Sequence, residues 1–425
     1  MQFQIYDYSR QIELESLRLA PYACPSQKAD ATRRFPESPH AYRMAFARDR
    51  DRIVHSRAFR RLKHKRQVFL TNIGDHFRTR LTHTMEVSQL GRTIVRALGL
   101  NEDLTEAIAL GHDLGHTPFG HLGESVLNKI MLGKYGHIPG FPRQNLGGFK
   151  HNYQSLRVVD LLEKRYEFPG LNLTAPVREG IWKHTGLRRH KMHDPDLSLD
   201  KLHMELNCAS TLEGQVVAIA DEIAQRTHDL EDGMRAGLVS LDDVRQLTIV
   251  RQVEADLKLR HLLQRSPYLY RNRLINGLIN FLVSDVIHTA LEEIARFYEE
   301  EKRFHPFTRE IIRFSPAAEP LQKELNKFIY EKIIYREEVR KFDEVAEEVI
   351  LHLFKVYAGK PELIPDDREE GKSGPNENMP LARRICDHIA GMTDPFAVSE
   401  LKRFQEMGYI SLNFDIDQLQ LDWMK

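Results

Sequence analysis

Apolar residues recur every three or four positions along most of this chain, which is the spacing of amphipathic helices. The pattern is clearest over residues 79–98, closed by Gly99, and over residues 210–230, whose apolar face is almost uninterrupted. Longer amphipathic patterns, with many Glu/Lys pairs at helical spacing, cover residues 282–303 and 316–357. The hydrophobic pattern therefore predicts an all-α protein.

The length of the chain indicates how it is divided. At 425 residues it exceeds the usual size of a single hydrophobic core. We predict an N-terminal arm and a helical core over residues 1–240, and a helical C-terminal region over residues 241–425 that completes the core or supplies oligomer contacts. Residues 361–380 are polar and rich in Pro and Gly, which predicts a linker or an exposed loop. The long C-terminal helices either contact another subunit or pack on their own chain.

Charge and cysteine content exclude several classes of protein. Lys+Arg and Asp+Glu number 61 each, which argues against a globally basic nucleic-acid binder but leaves local basic patches open. The three cysteines, Cys24, Cys208 and Cys386, are too widely spaced to predict a disulfide framework or a cysteine–zinc module. The N-terminus lacks a basic-then-apolar signal pattern, and no run of about 18 apolar residues occurs. We therefore expect a cytoplasmic protein that does not contact a membrane.

Candidate metal ligands are densest in residues 104–131, LTEAIALGHDLGHTPFGHLGESVLNKIM. Within thirteen positions the stretch contains His112, Asp113, His116, His121 and Glu124. The pattern places His112 and Asp113 on the last turn of one helix, and Thr117 and Pro118 at the start of the next. Each histidine alone is better explained by a capping or buried polar role. Together, imidazole nitrogens and carboxylate oxygens suit divalent first-row metals, so we favour a metal site.

Two side chains on apolar helix faces extend this set. His83 lies on the inward face of the helix over residues 79–98, where a histidine is either satisfied in the core or a ligand. Asp221 interrupts the apolar face of the helix over residues 210–230, where a carboxylate is costly to bury unless it is paired or bound to metal. The predicted metal ligands are therefore His83, His112, Asp113 and Asp221.

Two flanking stretches each allow a structural and a functional interpretation. Residues 48–69 alternate basic and apolar side chains, so they form either a solvated amphipathic helix or a basic wall that binds polyphosphate. Residues 133–150 are rich in Gly and Pro and predict a loop, which either covers the site or only connects two helices. His151 follows that loop at the start of another predicted helix.

The order of these residues resembles a known family. His83, then His112–Asp113, then Asp221 match the H...HD...D signature of the HD superfamily of metal-dependent phosphohydrolases. More narrowly, the chain resembles the deoxynucleoside triphosphate triphosphohydrolases, or dGTPase-like enzymes, in six blocks between residues 57 and 397: RAFRRLKHKRQVF, FRTRLTHTMEVSQLGR, GHDLGHTPFGHLGE, FKHNYQSLRVV, ADEIAQRTHDLED and HIAGMTDPFA. Residues 240–375 match no motif of the family.

The resemblance implies an HD-domain helical core with additional C-terminal helices. It implies an enzyme that splits a deoxynucleoside triphosphate into deoxynucleoside and intact triphosphate, by water attack at the α-phosphorus. The four ligands would hold a divalent metal ion, with Mn, Mg, Fe, Co and Zn all open. His121 and Glu124 match the family's catalytic His–acid pair, and His116 and His151 match its further active-site histidines. The family commonly forms oligomers, so a homo-oligomer is expected.

Three residues are predicted to contact the substrate. Arg80 lies one turn before His83, and Gln67 belongs to the RQVF block. Gln225 stands four residues after the last metal-binding Asp, where the family pattern usually has a Tyr that packs on the sugar. Because a polar side chain removes that aromatic wall, we expect weaker rejection of a 2′-hydroxyl, unless another aromatic such as Tyr153 fills the gap.

Three alternative functions are considered. Another HD phosphohydrolase, acting on a cyclic nucleotide, a nucleoside monophosphate or an alarmone, would lack the RRLxxKxQVF and GMTD blocks. A single-stranded nucleic-acid-binding protein with a secondary HD site would bind single strands with strong salt dependence and leave nucleotides intact. A non-catalytic scaffold conflicts with the complete ligand set. The sequence does not assign the preferred base, the native metal or an activating nucleotide effector.

Overall fold

The chain folds almost entirely into helices. The computed structural model describes residues 5–67, 78–136, 138, 144–185, 196–365, 380–414 and 416. These residues form no β-strand beyond two isolated bridges, which confirms the predicted all-α class. Their seventeen α-helices are α1 (Tyr8–Arg18), α2 (Ala45–Val54), α3 (Arg57–Arg61), α4 (Arg80–Leu98), α5 (Glu102–Gly111), α6 (His121–Met131), α7 (His151–Arg157), α8 (Ala175–Lys183), α9 (Leu212–Arg235), α10 (Leu241–Val244), α11 (Thr248–Asp256), α12 (Leu262–Arg265), α13 (Pro267–Glu301), α14 (Ala318–Ile329), α15 (Glu337–Gly359), α16 (Leu381–Ala390) and α17 (Asp394–Glu406).

The two helices that precede the densest chemistry begin and end at clear sequence signals. A reciprocal capping box between Thr79 and Thr82 starts α4. The helix ends at Gly99, whose φ of 67° lies in the left-handed region that glycine adopts without strain. Asn101 then caps α5 by accepting a hydrogen bond from the backbone N–H of Leu104. The short turn between the two caps places α4 beside α5.

The predicted helix over residues 210–230 is confirmed as α9, the central helix of the core. Thr211 caps its start, and the helix packs against α4, α5, α8 and α13. Next to it, α5 and α8 approach closely at Gly180, where an added Cβ would lie 2.4 Å from the Cδ1 atom of Ile108. Glycine at this position therefore allows the helices that adjoin the candidate metal ligands to pack together.

Buried apolar side chains form two clusters among the described residues. The larger runs from Ala23 to Ile333 and joins α2, α4, α5, α8, α9, α11, α13 and α14. The smaller joins α6 to α15, α16 and α17. Packing thus connects residues on both sides of position 240, and the division into residues 1–240 and 241–425 stays a prediction.

Two details of the predicted helices are wrong. Helix α6 begins at His121 rather than at Pro118, because Phe119 and Gly120 have φ values of 60° and 62° and so interrupt the helical backbone. The pattern over residues 316–357 is not continuous either, since a π-helical turn separates α14 from α15. Hydrophobic periodicity continues through both places, so it cannot show these breaks.

The basic stretch over residues 48–69 divides into α2, α3 and a 3₁₀ turn, and its last two residues lie outside the described part of the chain. The arginines of α2 pair with carboxylates of the same chain. Lys65 is buried and donates from Nζ to the carbonyl oxygens of His116 and Ala390. Burial lowers the pKa of Lys65 to about 7. These contacts give the stretch a structural role. Binding of polyphosphate by its basic side chains stays a prediction.

Two predicted loops are only partly described. In the loop over residues 133–150, residues 137 and 139–143 lie outside the described part of the chain, so the idea that it covers the site stays a prediction. In the linker over residues 361–380, residues 366–379 also lie outside the described part of the chain.

Among the described residues, α13 is long and apolar enough to cross a membrane by length and composition. Within the protein, 44% of its most apolar window is buried, and the helix packs against α9 and α11 in the larger apolar cluster. A buried core helix satisfies the same criteria, and the expected absence of membrane contact stays a prediction.

Candidate metal centre and active site

Three predicted metal ligands converge where α4 meets the end of α5. His83 lies in the first turn of α4 and is 1% exposed. His112 and Asp113 follow α5 directly, with His112 as its C-terminal cap rather than in its last turn. One nitrogen or oxygen atom from each of the three buried residues lies within 4.8 Å of the others. This group has the ligand types and the spacing of a site for a divalent first-row cation.

His112 presents an unsatisfied nitrogen to this group. Its Nδ1 atom donates to the carbonyl oxygen of Ala109 at 2.6 Å, which assigns the tautomer and leaves a lone pair on Nε2. Nε2 is buried without a hydrogen-bond partner, 3.3 Å from Asp113 Oδ1 and 3.7 Å from Asp221 Oδ1. A buried lone pair that faces two carboxylates is costly unless a cation lies between them. The His112 nitrogen and the two carboxylates therefore fit a metal ion.

Asp221 reaches the same group from α9. Its Oδ1 atom lies 2.9 Å from His83 Nε2. The other ring nitrogen of His83, Nδ1, lies 3.3 Å from Nδ1 of His228, and Nε2 of His228 contacts a carboxylate oxygen of Glu86. When His228 donates to Glu86, its Nδ1 accepts from His83 Nδ1, and the lone pair of His83 Nε2 faces Asp221. Partners of this kind orient the histidines that bind metals.

Sequence analysis missed His228 and Glu86. His228 follows Asp221 by seven residues, or two helical turns, so both lie on the same face of α9. That spacing is the signal that could have identified His228. Burial lowers the pKa of His228 to about 4, so its ring is neutral near pH 7. Arg78 also contacts Glu86, at 3.1 Å, and so helps to fix the partner of His228.

Nearby groups keep both candidate metal-binding carboxylates, Asp113 and Asp221, ionised. Burial alone would raise the pKa of Asp113, but the neighbouring histidines and Arg80 lower it well below its usual range. Burial also acts against ionisation of Asp221, and its pKa is nevertheless lowered by the neighbouring histidines, His83 first and then His112. Both side chains therefore offer anionic oxygens, the form that a cation binds.

The four predicted catalytic residues also lie together. One histidine nitrogen or carboxylate oxygen from each of them lies within 4.8 Å of the others; the four are His116, His121, Glu124 and His151. The rings of His116 and His151 stack with centroids 3.9 Å apart, and the His121 ring lies 5.2 and 5.8 Å from them. Glu124 accepts from both Nδ1 and the backbone N–H of His151, the latter at 3.2 Å. The structure thus gives Glu124 a hydrogen bond to His151, whereas the family pattern pairs it with His121.

His121 is the exposed member of this second group. Protein atoms surround its ring closely enough that desolvation, and then the charge of His151, lower its pKa to about 4. Desolvation depends on the density of protein around a ring as well as on its accessible area, so an exposed edge is compatible with this shift. His121 is therefore neutral near pH 7, and a nearby anion would favour its protonated form.

Sequence analysis also missed His184, which directly follows α8. Its Nδ1 atom donates to the carbonyl oxygen of Ile181 at 2.7 Å, and its Nε2 atom lies 3.1 Å from Nε2 of His151. Burial lowers the pKa of His184 to about 3. A further buried group contains Asp113, His151 and His184. One nitrogen or oxygen atom from each of these residues lies within 4.8 Å of the others. His184 lies 33 residues from His151 in the chain, so only the tertiary fold reveals the contact.

Two of the predicted substrate contacts lie beside the predicted metal ligands. Arg80 is buried and donates from Nη1 to Asp113 Oδ2 at 2.7 Å. At the start of α6, an added Cβ on Gly120 would lie 2.9 Å from Arg80 Nη2 and 3.6 Å from the backbone oxygen of Gln67. Arg80 Nε and Gln67 Oε1 are both buried without a hydrogen-bond partner. Unsatisfied polar atoms at a candidate site are available to a bound ligand.

The third predicted contact, Gln225, is half-buried on α9, one helical turn beyond Asp221. Tyr153, the alternative residue for the sugar wall, is buried, and its ring meets that of Trp182 edge-on with centroids 5.7 Å apart. Tyr153 therefore packs in the core, and Gln225 remains the position at which sugar selectivity is best tested.

Two family models match this chain. The HD domain model covers residues 80–226, which include the four predicted metal ligands. The phosphohydrolase-associated domain model covers residues 312–403. This second match corrects the sequence analysis, which found no family motif over residues 240–375.

Relatives from three bacteria match most of the chain, and each carries the name deoxyguanosinetriphosphate triphosphohydrolase-like protein. The Bartonella henselae protein is 41% identical over 381 residues, which are 87% of this chain and 91% of the relative. The Brucella anthropi protein is 40% identical, covering 90% of this chain and 94% of the relative. The Geobacter metallireducens protein is 39% identical, covering 91% of this chain and 95% of the relative. The chain therefore belongs to the HD-domain family of deoxyguanosinetriphosphate triphosphohydrolase-like proteins.

Proposed function

We propose that this chain is a nucleotide triphosphohydrolase that converts deoxynucleoside triphosphates to deoxynucleoside and inorganic triphosphate. One observation carries the proposal. The buried Nε2 atom of His112, without a partner, faces two carboxylates. One nitrogen or oxygen atom from each of His83, His112 and Asp113 lies within 4.8 Å of the others. HD domains bind divalent metals, and the relatives' names identify the triphosphate of deoxyguanosine as a substrate to test first.

The reaction requires one bond to form and one to break. The oxygen of water joins the α-phosphorus, and the bond between the α-phosphorus and the 5′-oxygen breaks. Water loses a proton, and the departing 5′-oxygen gains one. His83, His112, Asp113 and Asp221 would hold a divalent cation, which would supply Lewis-acid activation of the α-phosphate and of the attacking water.

Arg80 and Gln67 provide the first contacts to the nucleotide in this proposal. Arg80 already lies against Asp113, so its guanidinium group is held beside the place where the α-phosphate must lie. A guanidinium group can bind phosphate oxygens through two parallel hydrogen bonds. The unsatisfied Oε1 atom of Gln67 can accept a hydrogen bond from a hydroxyl group of the sugar.

His121 is the proposed proton donor to the 5′-oxygen. In the free protein its lowered pKa keeps the ring neutral near pH 7. The negative charge of a bound triphosphate favours the imidazolium form, so substrate binding supplies the proton donor where it is needed. His116 and the pair of Glu124 with His151 surround this ring and fix its environment.

A cytoplasmic location and a homo-oligomer are part of the proposal, because the sequence favours both. A nucleotide effector and single-stranded nucleic acid are further proposed partners. Equilibrium binding of each to the purified protein, at two salt concentrations, would test them separately from catalysis.

The proposed function is tested by the identity of the products. Protein loaded with Mn²⁺ is incubated with each deoxynucleoside triphosphate, and the products are separated by anion-exchange chromatography. We expect inorganic tripolyphosphate and deoxynucleoside in equal amounts. Asp221→Asn, which keeps the shape but loses the anionic charge, is the control and should lose turnover. Release of pyrophosphate or of single phosphates would instead support another HD phosphohydrolase.

A further inference from the structure

We propose that Asp394 is a positioning residue for the active site, which fixes the backbone turn immediately before His121. Asp394 lies at the start of α17, is 2% exposed, and belongs to the residues matched by the phosphohydrolase-associated domain model. The inference deepens the proposed function and rests on it, because the role of Asp394 is defined through proton donation by His121.

The carboxylate of Asp394 joins two segments that are distant in the chain. Its Oδ1 atom accepts a hydrogen bond from the backbone N–H of Phe119 at 2.9 Å, and its Oδ2 atom accepts one from the backbone N–H of Arg66 at 2.9 Å. Burial raises the pKa of Asp394, and the two N–H groups oppose that effect. Because both oxygens accept, the carboxylate binds as the anion, and hydrogen bonds to an ionised acceptor are stronger than those between neutral groups.

These two hydrogen bonds are separate from the capping of α17. An acidic residue in the first turn of a helix often stabilises only that helix. Here Thr393 is the cap, since its hydroxyl accepts from the backbone N–H of Phe396 at 3.3 Å. Asp394 directs its oxygens to Phe119 and Arg66 instead, so its hydrogen bonds stabilise those segments.

The turn that receives one of these hydrogen bonds has an unfavourable backbone conformation. Phe119 has a φ of 60°, a left-handed value that bulky residues rarely adopt, and Gly120 follows with a φ of 62°. Such conformations persist only where the surrounding structure holds them. Asp394 binds the N–H of Phe119 itself, and His121 begins α6 two residues later. The placement of the His121 ring therefore depends on this hydrogen bond.

The second segment lies against the same turn. Arg66 directly precedes Gln67, the proposed sugar contact. The backbone oxygen of Gln67 would lie 3.6 Å from a Cβ added to Gly120. One carboxylate thus fixes the backbone beside the proposed proton donor and the backbone beside the proposed sugar contact.

A buried lysine strengthens the same connection. Lys65 donates from Nζ to the backbone oxygens of His116 and Ala390, the latter at 2.7 Å. Ala390 ends α16 and Asp394 begins α17, so both contacts come from the short connection between these two helices. That connection therefore holds the backbone on both sides of the turn between His116 and His121.

The test is a double-mutant cycle on turnover of dGTP with Mn²⁺. Asp394→Asn keeps the size of the side chain but turns an amide N–H₂ group towards one of the two backbone N–H groups. Because slight misplacement of a catalytic group can cost about a hundredfold in rate, we expect kcat to fall by about 10- to 100-fold. In the His121→Ala background the same substitution should change kcat by less than about threefold, since the group that it positions is absent. Loss of the Gln67 contact would raise KM rather than kcat.

Glu400→Gln is the matched control, because it makes the same chemical change on the same helix. Glu400 accepts from the hydroxyl of Tyr357 at 2.9 Å and from the guanidinium group of Arg403 at 2.7 Å. Its substitution weakens the packing of α17 and leaves the hydrogen bonds of Asp394 in place. We expect the wild-type kcat for this variant.

A second readout needs no substrate. Hydrogen–deuterium exchange, followed by mass spectrometry with fragmentation, measures the backbone N–H of Phe119. A hydrogen bond to a buried acceptor slows exchange, so we expect exchange at Phe119 to be at least about tenfold faster in Asp394→Asn than in the wild type. Glu400→Gln should leave it unchanged.

The outcomes separate this inference from the proposed function. Unchanged kcat in Asp394→Asn, or an equal fall in kcat with and without His121, would overturn the inference. If the wild type releases no triphosphate, the proposed function fails, and exchange at Phe119 still decides whether Asp394 holds the turn. If Asp394→Asn does not fold, exchange in the wild type decides. Exchange at Phe119 as slow as inside α6 supports the hydrogen bond, and exchange as fast as in an exposed loop contradicts it.

Discussion

Replacing His228 with alanine tests how the proposed metal site is oriented. The side chain is buried and contacts no predicted ligand except His83, whose Nδ1 atom lies 3.3 Å from its own Nδ1. On its other side, His228 contacts Glu86. The substitution therefore removes an outer hydrogen bond and leaves all four predicted metal ligands in the chain.

Two independent values give the expected loss of metal affinity. Without His228, the Nδ1–H group of His83 is buried and has no acceptor, which costs about 1–3 kcal/mol. Loss of an outer partner of a metal-binding histidine typically reduces metal affinity by about 10- to 100-fold. At 25 °C that range corresponds to about 1.4–2.7 kcal/mol, so the two values agree. We expect the Kd for Mn²⁺ to rise by about 10- to 100-fold.

The assay is Mn²⁺ binding in competition with a chelator of known affinity, with circular dichroism to confirm the fold. His228→Gln is the matched variant, because its side-chain oxygen can still accept from His83. It should bind Mn²⁺ more tightly than His228→Ala. If the Kd of His228→Ala lies within about threefold of the wild-type value, the hydrogen bonds from Glu86 through His228 to His83 do not orient the metal-binding nitrogen, and the reasoning is refuted.

Three further substitutions separate metal binding, proton transfer and sugar selectivity. Asp113→Ala is expected to lose both bound metal and turnover, measured by elemental analysis and product release, because Asp113 supplies anionic charge to two donor groups. His121→Ala is expected to bind metal and nucleotide normally but to turn over at least about a hundredfold more slowly, the usual scale for losing a positioned proton-transfer group. Gln225→Tyr is expected to strengthen the preference for dGTP over GTP, measured as the ratio of kcat/KM values, by up to on the order of a hundredfold.

Each of these predictions has a result that would contradict it. Full metal occupancy in Asp113→Ala would remove Asp113 from the site. Near-normal turnover of His121→Ala would transfer proton donation to His116 or His151. Strict rejection of GTP by the wild type, unchanged in Gln225→Tyr, would show that Gln225 does not set sugar choice.

The sequence predicts the helices that carry the site because their signals are local. The capping box at Thr79 and the glycine at position 99 define α4 within one turn at each end. His83 and Asp221 stand out because each interrupts an apolar face at helical spacing, and burial of both groups needs a compensating partner. Local periodicity and the cost of burying polar groups are therefore sufficient to identify these candidate ligands.

The sequence does not predict contacts that depend on the tertiary fold. His184 meets His151 across 33 residues, and Glu124 contacts His151 across 27. His228 shares a helix face with Asp221, but its contact with His83 crosses 145 residues. The start of α6 differs from the prediction because Gly120 and its preceding residue adopt left-handed backbone angles. These features depend on how helices pack, which hydrophobic periodicity does not specify.

The central claim, hydrolysis at the α-phosphorus, is tested most directly by isotope labelling. Mn²⁺-loaded protein hydrolyses dGTP in water enriched in ¹⁸O, and ³¹P NMR together with mass spectrometry locates the label in the products. We predict one ¹⁸O atom on a terminal phosphorus of inorganic triphosphate and none in deoxyguanosine. Label in the 5′-hydroxyl group of deoxyguanosine, or label in released pyrophosphate or phosphate, would contradict the proposed reaction.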